Sequence, residues 1–225
     1  PLEILAAHGH GRSYGRWSRA LIRELPGITQ SGLWPALDAS AATGEAVATS
    51  ALITDVGNDL LYHAEVEQIA DWVETCLRRL QEHNAEIILT LPPIAAADGL
   101  PAWRYYLVRS LVFPGCRVSW PVMQARAAEL ESTLGELGHQ YGATVITPES
   151  KWYGFDPIHI HRRHRARVWR EMLSAWSATE RVDQTGKLPV PTVWKLRPEH
   201  RRLLGRVRNE PQPNWRHDGI EVSLY

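Results

Sequence analysis

The chain has 225 residues with 25 basic and 25 acidic side chains and a formal net charge of +0, so no global field draws it to nucleic acid or an anionic membrane surface. No apolar run approaches the ~20 residues of a membrane-spanning helix, and no basic segment followed by an apolar signal core opens the sequence. Two cysteines, Cys76 and Cys116, exclude a dense disulfide framework and a four-sulfur metal cluster. As free thiols they point to a reducing, cytoplasmic compartment unless an export signal has been removed.

Residues 2–7 form a short apolar run closed by His8-Gly9-His10-Gly11, the pattern of a buried strand entering a tight loop. Tyr14, Trp17, Leu21 and Leu25 recur at helical spacing until Pro26-Gly27, which predicts a helix and sets Ser13 between strand and helix. A weak strand through Ile28 and Thr29 precedes a stretch of small residues, and a clearer strand over 51–56 ends at Gly57-Asn58-Asp59. Val66, Ile69, Ala70, Val73, Leu77 and Leu80 then mark one face of a long amphipathic helix. A strand over 86–91 stops at Pro92-Pro93, and the segment up to Pro121 shows no clear pattern. Met123, Ala127, Leu130, Leu134, Leu137 and Tyr141 mark another helix, residues 143–147 a fifth strand, and Trp169, Met172, Leu173 and Trp176 a last helix.

Alternation of strand and helix predicts a three-layer α/β/α domain over 1–177 built on a parallel sheet, with ligands beyond the carboxyl ends of the strands. Residues 178–225 break the pattern with Pro189, Pro191, Pro198, Pro211 and Pro213, a basic Arg201-Arg202 pair and a strand-like end over 220–225. They are expected to form an extension that wraps the domain or joins copies into a homo-oligomer.

Three polar clusters fall at strand ends or adjoining loops: 11–15, 57–59 and 155–159. A serine after a strand and before a helix is well placed for nucleophilic attack, its own N–H and the helix terminus facing one pocket; a turn or capping role is the plainer alternative for Ser13. Asp156 and His159, separated by a turn at Pro157, allow the carboxylate to hold one imidazole nitrogen while the other faces a hydroxyl. Asn58 offers a side-chain amide donor for a developing oxyanion. Together they predict Ser13 as nucleophile, His159 as base and Asp156 as its orienting acid.

The combination of Gly11-Arg12-Ser13 near the start, Gly57-Asn58-Asp59 after a central strand and Asp156-Pro157-Ile158-His159 near the end of the domain resembles the SGNH (GDSL-type) hydrolase family. The resemblance spans about residues 2–177. It implies a flavodoxin-like fold with a five-stranded parallel sheet, and ester hydrolysis through an acyl-enzyme without metal or organic cofactor. It further implies a backbone donor from a second glycine block, for which Gly32 is the best candidate and Gly27 the next. Arg12 stands where the family usually carries Asp; it is read either as drawing an anionic substrate group or as packing outward on a salt bridge. Among ten tryptophans, Trp152 lies nearest the Asp-His segment and is the expected substrate wall, which suits a small-molecule or carbohydrate ester.

Two other classes compete. His8, His10, His159 and His161 form two His-x-His pairs that suit a metal-dependent hydrolase. The basic run 162–167 could serve a non-enzymatic anion- or RNA-binding face, against which the neutral total charge argues.

Overall fold

The computed structural model describes residues 2–20, 22–42, 48–93, 101–113, 115–154, 159–177 and 196–225. In chain order its elements begin with β1 (Leu2–Ala6), β2 (Ser18–Ala20), β3 (Arg23–Leu25) and α1 (Leu33–Ala41). There follow β4 (Ser50–Ile53), α2 (Asn58–Leu61), α3 (Val66–Glu82), β5 (Glu86–Thr90), α4 (Ala102–Val112) and α5 (Trp120–Gln140). Next come β6 (Thr144–Ile146) and α6 (Arg165–Leu173), and then β7 (His200–Leu203), β8 (Arg206–Asn209), β9 (Trp215–His217) and β10 (Ile220–Leu224). Among the described residues no helix is long and apolar enough to cross a membrane.

The chain divides into two compact units, one of Pro1–Val47 with Asp183–Tyr225, the other of Ala48–Val182. The continuous unit holds a three-stranded parallel sheet in the order β4-β5-β6, with Ser50 beside Glu86 and Ile88 beside Thr144. Helices α3 and α5 are the crossovers, and they pack on each other as two right-handed crossovers advancing in one direction must. Ile69, Val73 and Leu77 of α3, Ile88 and Leu89 of β5, and Leu130 and Leu134 of α5 are fully buried and form its core. The Arg126 guanidinium fixes the start of α3 by donating to Glu65 at 2.9 Å and to the Ala64 carbonyl. After α6, the Ser177 N–H and hydroxyl bind the Glu86 carboxylate at 2.9 to 3.0 Å, tying that end to the first residue of β5.

The discontinuous unit holds two further sheets. In one, β1 pairs in parallel with β10, Leu2 beside Ile220, and β10 pairs antiparallel with β9. In the other, β2, β3, β7 and β8 form a four-stranded antiparallel sheet.

The expected five-stranded parallel sheet is therefore corrected: the molecule is mixed α/β with three small sheets, and three strands of one unit form the wholly parallel one. The first strand forms, yet its partner is β10. Ile28 and Thr29 lie in a 3-10 turn, where Gln30 N–H and Ser31 N–H donate to the carbonyls of Gly27 and Ile28 and so use groups a ladder would need. The helix predicted after Ser13 is also replaced. Bends over 14–16 lead into the β2–β3 hairpin, whose ladder to β7 supplies backbone hydrogen bonds from a segment far along the chain.

Candidate functional site

Ser13 is fully buried in the turn between β1 and β2. Its hydroxyl oxygen accepts the N–H groups of Gly15 at 3.2 Å and Arg16 at 3.1 Å, the geometry of a side-chain-capped turn. Its own N–H donates to Ser18 Oγ at 3.0 Å, and its carbonyl receives Ile28 N–H at 3.1 Å. The donors around this oxygen are thus local turn amides, where a following helix was expected to supply them.

Arg12 does not pack outward. It is buried, with Nε donating to the Pro26 carbonyl at 3.0 Å and Nη1 to the Tyr225 carbonyl. Burial, and then the nearby charge of Arg23, lowers its pKa to about 10. Gly32 precedes α1, and a Cβ there would displace the flexible end of the Glu199 side chain and come within 3.1 Å of the Tyr225 ring.

In the continuous unit, Asn58 is the first residue of α2, just past the carboxyl end of β4, and its amide makes a long 3.4 Å contact with the Asp55 carbonyl. His159 is exposed in a bend before α6. Asp156 lies outside the described residues. Trp152 is a core residue, packed with Val168 and Met172 of α6 and flanked by Ile146, Tyr153 and Ile160.

Both segments follow strands of the parallel sheet, Asp55 coming after β4 and Tyr153 after β6. His161 N–H donates to the Trp152 carbonyl at 2.8 Å, folding the His159 segment back on residues 152–154. The Tyr153 phenol is pushed up to about 12, first by burial and second by the charge of Asp55, so Tyr153 lies within electrostatic reach of the loop that leads to Asn58. Asp55 itself holds a left-handed backbone, φ 58°, uncommon outside glycine and found where a loop is tightly determined. Asp55 falls inside the strand expected over 51–56, whereas β4 ends at Ile53 and leaves it in the following loop; Tyr153 carries no sequence signal. Ser13 and Gly32 belong to one unit, Asn58 and His159 to the other.

The His8 and His10 rings stand 6.4 Å apart and those of His161 and His164 5.9 Å apart. Among the described residues no group of three or more His, Cys, Asp or Glu side chains stands ready to hold a metal ion. Arg162 and Arg163 are exposed just before α6, and Arg163 Nε approaches His164 Nε2 at 3.0 Å. No protein-family profile matches the chain, and no curated protein is significantly similar to it.

Proposed function

We propose that the protein hydrolyses carboxylic esters through Ser13. The observation that carries this reading is the joint occurrence of Gly11-Arg12-Ser13, Gly57-Asn58-Asp59 and Asp156-Pro157-Ile158-His159, the last two following strands β4 and β6 of a parallel sheet, beyond whose carboxyl ends α/β enzymes assemble catalytic groups. The amides of Gly15 and Arg16 support it from the serine side, because hydrogen bonds donated to an oxygen favour its anionic form.

In this mechanism the Ser13 oxygen attacks the acyl carbon while His159 takes its proton, and Asp156 orients the imidazole. The carbonyl oxygen becomes an oxyanion held by the Asn58 amide and the backbone N–H groups of Gly32 and Ser13, the last exchanging its bond to Ser18 Oγ for the substrate. Collapse expels the alcohol, which takes its proton from His159. Water, activated by the same imidazole, then releases the acid and restores the serine. The substrate is a small-molecule or carbohydrate ester.

Ser13→Ala is expected to lower kcat on short acyl esters by ~10⁴-fold or more, and Asn58→Ala by ~10²–10³-fold. Because the hydroxyl also caps its turn, circular dichroism must show each variant folded. A fluorophosphonate should label the wild-type protein at Ser13, located by peptide mass spectrometry. Full activity in folded Ser13→Ala, or an active wild-type enzyme that resists the reagent, would overturn the mechanism.

A further inference from the structure

The four-stranded antiparallel sheet of the discontinuous unit carries an unusual distribution of charge. Directly opposed residues of antiparallel strands share a face, as do alternate residues along one strand. Arg23 opposes Leu203, Leu203 opposes Arg206, and Arg201 opposes Arg208, so Arg23, Arg201, Arg206 and Arg208 all lie on one face. Neighbouring strands are about 5 Å apart, which confines the four positions to a patch roughly 10 Å across.

Among the described residues the acids do not match the arginines of this face in number. Arg201 is buried and binds Glu210 at 2.9 Å, but the same carboxylate also receives Arg197 at 3.3 Å. Glu199 has one oxygen 3.6 Å from His200 Nε2 and against Gly32. Among the described residues Arg23, Arg206 and Arg208 form no ion pair. Arg23 is half-buried, its pKa lowered by burial and then by the charge of Arg201, and it in turn lowers that of Arg12. On the opposite face the guanidinium groups do have partners: Glu24 lies 3.9 Å from both Arg19 and Arg202, and Arg202 stacks on Trp17 at 4.1 Å.

Partly desolvated guanidinium groups gathered without matching carboxylates are costly unless an anion joins them, and the planar fork of arginine matches tetrahedral oxyanions in paired hydrogen bonds. We infer that this face of the β2-β3-β7-β8 sheet is a binding site for a multiply charged oxyanion of the phosphate or sulfate class. Buried Arg201 and half-buried Arg23 form its floor, and exposed Arg206 and Arg208 form its rim. The small extent of the patch favours a compact anion over a nucleic-acid strand. The inference stands independently of the hydrolase reading.

Calorimetric titration of the full chain with inorganic pyrophosphate, and in parallel with sulfate, at ionic strength fixed by chloride tests it. Saturable one-to-one binding is expected with at least one of the two, and the tighter ligand identifies the preferred chemistry. The double variant Arg206→Gln/Arg208→Gln changes exposed side chains and should keep the fold while weakening binding about tenfold or more. Arg162→Gln/Arg163→Gln, in the other unit, should bind as the wild type does. Absence of saturable binding, or equal affinity in the first double variant, would overturn the assignment. So would tight binding of a single-stranded oligonucleotide that pyrophosphate fails to displace.

Discussion

Burial holds four weak acids neutral far above their ordinary range: the Cys76 thiol and the phenols of Tyr62, Tyr105 and Tyr153 are each pushed up to about 12, with desolvation the largest cause in every case. The unfolded chain loses these protons near 9 to 10 while the native state keeps them, so the native state binds more protons in between. Their contribution is fully present below pH ~9 and is lost as pH rises toward about 12. The urea midpoint should therefore fall steadily across that window, and iodoacetamide at pH 8.5 should modify Cys76 only after denaturation. Rapid alkylation of Cys76 in the native protein would contradict its burial. At this scale the turn that holds Ser13 is legible from the glycines after an apolar run, while Gly57-Asn58-Asp59, expected as a strand-end loop, opens helix α2 at Asn58. The surroundings of the candidate groups were not legible. Arg12 turns inward because carbonyls of Pro26 and Tyr225 accept its protons, and Trp152 is claimed by Val168 and Met172; none of these partners is visible from local spacing.

Among the elements, α5 illustrates how packing decides over propensity. Gly138 lies near its end, buried where a Cβ would run into Val145 of β6 and come within 3.3 Å of a Leu89 methyl. Alanine would gain up to ~1 kcal/mol of helix propensity. Val145 is short and branched and its strand is held by the β5 ladder, so the overpacking cost of about 1–3 kcal/mol should prevail. Gly138→Ala is thus expected to lower Tm, and a raised Tm would show that the α5–β6 contact is loose. Long helices were the most legible elements: the apolar face of α3 was read correctly because its 3.6-residue period is written in consecutive turns and needs no distant partner. Strands of the parallel sheet were legible from apolar runs ending in Gly or Pro. Residues 14–25 were misread because Tyr14, Trp17, Leu21 and Leu25 satisfy a helical period while the ladder that makes β3 a strand comes from β7. The five-strand expectation failed likewise, since an apolar run announces a strand without naming its neighbour.

For the whole molecule, the described part of the C-terminal segment, residues 196–225, is structural. It supplies β7 to β3 and β10 to β1, and Leu224, Tyr225 and Arg201 are buried. Deleting residues 196–225 should strip hydrogen-exchange protection from the amides of β1 and β3 while those of α3, β5 and α5 keep theirs. Retained protection in β1 would mean that it has another partner. The pairing of β1 with β10 also has a temporal side. A ribosome releases β1 well before its ladder mate β10, so the unit between them, whose strand pairings all lie within residues 50–146, has time to fold while β1 still presents an unpaired edge. Slow synthesis of the segment that carries β10, or a fault within it, therefore leaves β1 exposed to foreign edges, and aggregation through that strand is the failure to which this topology is most open.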